Sequence, residues 1–192
     1  NKVGYQGVEG AFSYIAATHL FAHSEKINYP TFQEVFQAVK DGEIAFGVLP
    51  LENSATGDVN DVLDLLFQYD CHITAIYDLA IRQNLLGLKG ASIEDIQQVY
   101  SHQQAIAQSK QFLSQHSFEI IPYANTALAA KLIHEEGDIH KAAIASKETA
   151  ALYDLAILAE NINTANDNTT RFIVLEKNLS QTGNRFNLIF TV

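Results

Sequence analysis

Short β-type runs alternate with amphipathic helical stretches, and this alternation predicts an α/β fold with largely parallel sheets. The chain has 192 residues, 47% of them hydrophobic, which is enough for one large domain or two small ones around a real core. No apolar run approaches the ~18 residues of a membrane span.

The elements follow in order. Lys2–Tyr5 is a short strand before a glycine-rich turn, and Phe12, Ile15, Ala16, His19 and Leu20 share one helical face. Lys26–Tyr29 is a strand. Thr31 and Glu34 have capping-box spacing, with Phe32, Val35, Phe36 and Val39 as the apolar stripe behind. Ile44–Leu49 reads as a buried strand, and Val59, Val62, Leu63 and Leu66 as the next helical face. The β-rich run Ile73–Ile81 contains the best internal boundary, near Tyr77–Asp78. Further on, Val99–Ser101 is a strand and Gln104–Gln115 one helix, with Ala105, Ile106, Ser109, Phe112 and Leu113 inward. Phe118–Pro122 is a strand and Asn125–Glu135 a helix with Leu128, Ala129, Leu132 and Ile133 inward. Strand Ala142–Ala145, helix Lys147–Tyr153 and strands Ile157–Ala159 and Arg171–Glu176 complete the alternation. Asn178–Asn184 reads as a polar linker and Arg185–Val192 as one lone strand. The sequence has no Met, so the chain is expected to be a piece of something longer.

A net charge of −10 argues against binding duplex nucleic acid, which needs clustered Lys and Arg. One cysteine cannot form an internal disulfide, which favours a cytoplasmic location over a secretory route. His19 and His23, and the stretch from His134 to His140, lack the H-E-x-x-H spacing of a zinc site, so no metal is expected. Cys71 reads as a small buried apolar residue.

Several segments have chemistry to offer. Gly4, Gly7 and Gly10 lie between a strand and a helix without G-x-G spacing. They are either a tight turn or a place where backbone N–H groups approach a small anion. Pro50–Gly57 puts a carboxylate, an amide and two hydroxyls beyond a strand end, and the plain reading is a turn with one N-cap. Asn168–Phe172 sets Arg171 beside two hydroxyls, which suits a carboxylate ligand or an exposed strand end.

Taken together, Gly4–Ser13 (GYQGVEGAFS), Gly47–Gly57 (GVLPLENSATG) running into Val62–Leu66 (VLDLL), Ser101–Gln108 (SHQQAIAQ) and Asn168–Leu175 (NTTRFIVL) resemble the prephenate dehydratase family. The resemblance spans about residues 2–176 in the family's order. It implies two α/β lobes like a periplasmic ligand-binding fold, with the active site in the interlobe cleft. Residues 1–76 and 161–180 would form one lobe and 77–160 the other. Residues 181–192 would be a linker and the first strand of an ACT regulatory domain.

The implied reaction is decarboxylation and dehydration of prephenate to phenylpyruvate, in phenylalanine biosynthesis, without a cofactor. The resemblance puts Thr170 at the leaving oxygen. Asn53, Ser54, Ser101, Gln108, Thr169 and Arg171 would bind or orient substrate, with Arg171 either holding a carboxylate or bracing the loop. Glu52 would be turned away from the dianionic substrate or protonated. The plainer alternatives are Ser101 as an N-cap and Gln108 as a solvated helix residue. The sequence departs from the family pattern at His102-Gln103-Gln104, where the middle residue is usually proline, and at Ala11, where threonine is common. The resemblance also implies a homodimer or homotetramer, phenylalanine as effector of the full-length protein, and no nucleic-acid or membrane partner. Arogenate dehydratase and a catalytically silent two-lobed binding module are the alternatives.

Overall fold

The computed structural model describes residues 1–179, so the expected linker and ACT strand at 181–192 lie outside the described residues. The chain forms two compact units. The first comprises Asn1–Gly7, Ala16–Leu79 and the segment beginning at Thr169; the second comprises Val8–Ile15 and Ala80–Asn168.

In the first unit, β1 (Lys2–Gln6) leads into α1 (Phe12–Leu20), whose first turn counts with the second unit. Then come β2 (Glu25–Tyr29), α2 (Phe32–Asp41), β3 (Phe46–Asn53), β4 (Gly57–Asp58), α3 (Asn60–Gln68) and β5 (His72–Ala80). The second unit holds β6 (Asn84–Gly87), a 3₁₀ turn at Ile93–Asp95, β7 (Gln98–Ser101), α4 (Gln103–Gln108) and α5 (Lys110–Leu113). It continues through β8 (Glu119–Pro122), α6 (Thr126–Glu136), β9 (Lys141–Ala145), α7 (Lys147–Leu152) and β10 (Ala156–Ala159). The chain returns to the first sheet as β11 (Thr169–Glu176).

Both sheets are mixed rather than largely parallel. The first runs β2-β1-β3-β11-β5, with β1 parallel to β2 and β3 but β11 antiparallel to β3. The second runs β10-β6-β9-β7-β8, antiparallel across β6 and parallel across β7. β11 and β6, which run antiparallel to their neighbours β3 and β9, do not follow a crossover helix in the usual β-α-β sense.

The capping box at α2 is realised. Thr31 Oγ1 accepts from Glu34 N at 3.2 Å and Glu34 Oε2 accepts from Thr31 N at 3.0 Å, a cap worth about 1 kcal/mol. Gly42 ends the helix at φ 76°, where a Cβ is disfavoured. Behind it, Val35, Phe36 and Val39 pack with Leu49, Val62, Leu65, Ile173 and Leu175. Gly4 leaves room for Ile44 against β1: an added Cβ would lie 2.3 Å from Ile44 Cδ1 and displace it.

The second sheet has a core on each face. Leu85, Ala142 and Ile144 face one with Val99 and Leu113, while Leu86, Ala143 and Ala145 face the other with Ile133 and Leu155. This strict alternation is the two-sided burial of a sheet covered by helices on both faces.

The span 161–168, expected in the first lobe, belongs to the second unit because it is stitched to the segment before β6. Ile81 N donates to Asn168 O at 2.8 Å, and Asn163 Nδ2 to Ile81 O at 3.1 Å. Val8–Ile15 goes the same way, since Gly10 O accepts from Thr149 Oγ1 at 3.0 Å.

Candidate functional site

The end of β3 is a miniature hairpin, not a direct entry to a helix. Asn53 pairs with Gly57 across the turn Ser54–Thr56, and Gly57 has φ 84°. Asn53 Oδ1 ties the turn by accepting from Ala55 N at 2.9 Å and Thr56 N at 3.1 Å. Helix α3 follows this hairpin from Asn60, and its N-cap residue Val59 makes no side-chain cap.

β11 brings the distant Asn168–Phe172 motif beside this turn. Thr170 is opposite Asn53 and Arg171 opposite Glu52, and the register then shifts so that Phe172 faces Pro50 and Leu51 is skipped. Such a bulge bends the strand and re-aims the side chains beyond it. Ser54 and Thr169 bond reciprocally: Ser54 N donates to Thr169 O at 2.9 Å, and Thr169 N to Ser54 Oγ at 2.9 Å.

Asn53 Nδ2 donates to Thr170 Oγ1 at 2.8 Å and to Thr169 O at 3.3 Å. An amide N–H can only donate, so the Thr170 oxygen accepts and its own proton is directed elsewhere. Asn53 is 9% exposed, and a buried carboxamide held at both ends has one orientation. The structure therefore brings Asn53, Ser54, Thr169 and Thr170 together as one bonded group.

Arg171 is spoken for. Its Nη1 donates to Glu52 Oε1 at 3.0 Å, its Nε to Asp78 Oδ1 at 2.9 Å and its Nη2 to Asp78 Oδ2 at 3.3 Å. Hydrogen bonding and charge from Asp78, then the charge of Glu52, push the guanidinium pKa above its already high value. Glu52 is thus turned to Arg171, and Asp78, on β5, is the member of this trio that sequence reasoning missed. Its signal was an acidic residue in a β-rich run, which only the strand order turns into a partner.

Ser101 and Gln108 lie in the second unit. Ser101 is fully buried and donates to Ile144 O at 2.7 Å, so it is not the N-cap. His102 caps α4 instead, with its Nδ1 accepting from Gln104 N at 3.3 Å. Gln108 ends α4 and its Oε1 accepts from Gln83 Nε2 at 3.1 Å. The glycine turn offers less than an anion cradle. Gly7 N donates to Tyr29 O and Ala11 N to Val8 O, so those N–H groups serve the backbone. Among the described residues, no group of three or more His, Cys, Asp and Glu could hold a metal ion. Also among them, no helix is long and apolar enough to cross a membrane.

The two-unit α/β architecture with mixed sheets is of the periplasmic-binding-protein type. A nutrient-binding protein from Burkholderia cenocepacia has a TM-score of 0.50 at 10% identity over 92% of this chain and 84% of its own, a likeness of fold alone. The family model for prephenate dehydratase matches residues 3–180, and the chain belongs to that family.

The prephenate dehydratase of Lactococcus lactis subsp. cremoris is 34% identical over 100% of this chain and 71% of its own length. Arogenate dehydratase/prephenate dehydratase 1 of Arabidopsis thaliana is 38% identical over 92% of this chain and 45% of its own. The chain thus spans about half the length of several of the curated relatives it matches. The solved prephenate dehydratase of Arthrobacter aurescens, in complex with L-Phe, has a TM-score of 0.87 at 25% identity, covering 96% of this chain and 63% of that one. A solved structure described as a novel type of quorum-quenching acylase, GqqA, has a TM-score of 0.86 at 28% identity, covering 95% and 66%.

Proposed function

We propose that the protein is a prephenate dehydratase, acting without a cofactor and with Thr170 as donor to the departing oxygen. In this reaction the bond from the ring to the carboxylate carbon breaks and carbon dioxide leaves. The freed electron pair enters the ring, the C4–oxygen bond breaks, and the oxygen leaves as hydroxide that takes a proton to become water. Aromatisation drives the step, and charge builds on the leaving oxygen, so a placed hydrogen-bond donor lowers the barrier.

One observation carries the reading: Asn53 donates to Thr170 Oγ1 at 2.8 Å, so the threonine proton is not spent on Asn53. Asn53 is then a positioning residue for Thr170, and Ser54 and Thr169 lock the strand end that carries it. The partner of Thr170 is an amide that cannot accept its proton. The hydroxyl is therefore set to donate rather than attack, which favours dehydration over acyl transfer. Arg171, paired with two carboxylates, serves as a brace for the β3–β11 end rather than as the substrate anchor. Gln108 adds an amide toward the anionic substrate, and Ser101 holds the β7 end to β9.

Thr170→Val should keep the fold and lower kcat roughly 10²–10⁴-fold, the scale of one acid or electrostatic group. Phenylpyruvate formation from prephenate reads the effect, and activity within a few-fold of wild type would remove Thr170 from the mechanism. Arogenate, named with prephenate in the Arabidopsis relative, should be assayed alongside as the competing substrate. For the intact protein we propose a cytoplasmic homodimer or homotetramer that responds to phenylalanine through an ACT domain. The Arthrobacter relative's complex with L-Phe supports the choice of effector.

A further inference from the structure

The geometry points to Gln83 as a positioning residue that holds the Gln108 amide in place for substrate. The inference rests on the proposed dehydratase function and extends it to a residue outside the recognised motifs.

Gln83 is 2% exposed, and its Oε1 is buried without a hydrogen-bond partner among the described residues. A buried amide with an unanswered oxygen costs stability that an apolar side chain of the same length would avoid. What the amide does make is one bond, from its Nε2 to Gln108 Oε1 at 3.1 Å. With the carbonyl end of Gln108 held, its N–H₂ end is what remains to donate. A substrate bearing two carboxylates needs donors, and a reversed Gln108 would present an oxygen that repels them.

The backbone around the pair is fixed by three consecutive residues. Ile162 N donates to Gln83 O at 2.9 Å, Gln83 N donates to Asn163 Oδ1 at 2.7 Å, and Thr164 N donates to Gln108 O at 2.7 Å. Thr164 Oγ1 also accepts from Gln111 N at 3.2 Å, in the first turn of α5. The segment 162–164 therefore clamps both glutamines at once, which is how a rigid frame holds a polar group at a set angle.

The test is a double-mutant cycle with Gln83→Met, which keeps length and bulk but removes the donor, in wild-type and Gln108→Ala backgrounds. Gln83→Met should lower kcat/KM for prephenate about tenfold in the wild-type background. It should change kcat/KM by less than about twofold once Gln108 is truncated, because the path it acts through is gone. Equal losses in both backgrounds would overturn the positioning role. Independently of activity, the ¹H–¹⁵N signal of the Gln108 side-chain amide should move toward that of a free glutamine in Gln83→Met; an unmoved signal also overturns the role. A wild-type protein that turns over neither prephenate nor arogenate would remove the functional reading, while the amide spectrum would still decide the hydrogen bond.

Discussion

Asn53→Asp separates the two jobs of that side chain. The replacement is nearly isosteric and keeps an acceptor for Ala55 N at 2.9 Å and Thr56 N at 3.1 Å. It also turns the donor that faces Thr170 Oγ1 at 2.8 Å and Thr169 O at 3.3 Å into an acceptor. The bond to Thr169 O goes, worth about 1 kcal/mol net, and a carboxylate oxygen comes to face that carbonyl oxygen, while the bond to Thr170 reverses direction. A loss of about 1–2 kcal/mol, or a fall in Tm of roughly 3–6 °C, is expected. Under the proposed mechanism the chemical effect is larger, because the Thr170 hydroxyl turns to the new carboxylate and is withdrawn from the leaving oxygen. Losing one such donor lowers kcat roughly 10²–10³-fold. Acidification protonates the introduced carboxylate and returns a donor to Thr170, so the variant's activity relative to wild type should rise as pH falls. Asn53→Ala is the contrast: it strands the two turn N–H groups and should melt lower, yet it cannot capture the threonine proton and should retain more kcat. Steady-state phenylpyruvate formation and calorimetry on both variants decide the matter. The reasoning fails if Asn53→Asp keeps kcat within a few-fold of wild type, or if the alanine variant has the lower kcat.

Two further outcomes follow from ionisable groups. Arg171→Ala leaves Glu52 and Asp78 without their shared cation; their side chains and that of Arg171 are 40–51% exposed, so solvent screening holds the loss to about 1 kcal/mol, or 2–4 °C in Tm. The difference should shrink at high salt and persist in Arg171→Lys, which cannot reproduce the fork to Asp78; a large rise in KM with unchanged Tm would instead make Arg171 a substrate anchor. Tyr29 is pushed up to about 12 by burial first, then by its hydrogen bond to Glu43 and the charge of that carboxylate. A raised folded-state pKa contributes stability that is fully present below the unfolded value of about 10 and is lost as pH rises through the folded value. Tyr29→Phe should therefore flatten the alkaline arm of a Tm–pH profile in that window, and an arm unchanged in slope would show that Tyr29 is not its source.

Local signals were legible where short-range chemistry decides the outcome. Thr31 and Glu34 announce their cap because a side chain and a backbone N–H three residues apart meet in any helix start. The single helix expected over Gln104–Gln115 breaks at Ser109, whose φ of −107° and ψ of 12° leave α geometry with no glycine or proline to signal it. Strand β6 went unread because its Asn84-Leu-Leu-Gly is four residues long and buried on both faces, which erases the alternation that marks a strand. The candidate residues could be named from the family motifs, but the wiring between them could not. Asn53 meets Thr170 across 117 residues only because β11 inserts antiparallel beside β3. Arg171 looked available in the sequence because Asp78 became its partner only through the strand order.

The skipped Leu51 divides β3 into two half-strands whose pairing is set by different interactions. Val48, Leu49 and Pro50 pair with Val174, Ile173 and Phe172, where buried hydrocarbon sets the register. Glu52 and Asn53 pair with Arg171 and Thr170, where polar bonds set it. A regular ladder would transmit every slip in one half to the other, because strand register is a shared coordinate. A joint of one residue absorbs such slips, so the core half can drift among apolar side chains over generations while the polar half keeps its partners. Repacking of the core half need not disturb the polar bonds that sit three residues further along the same strand.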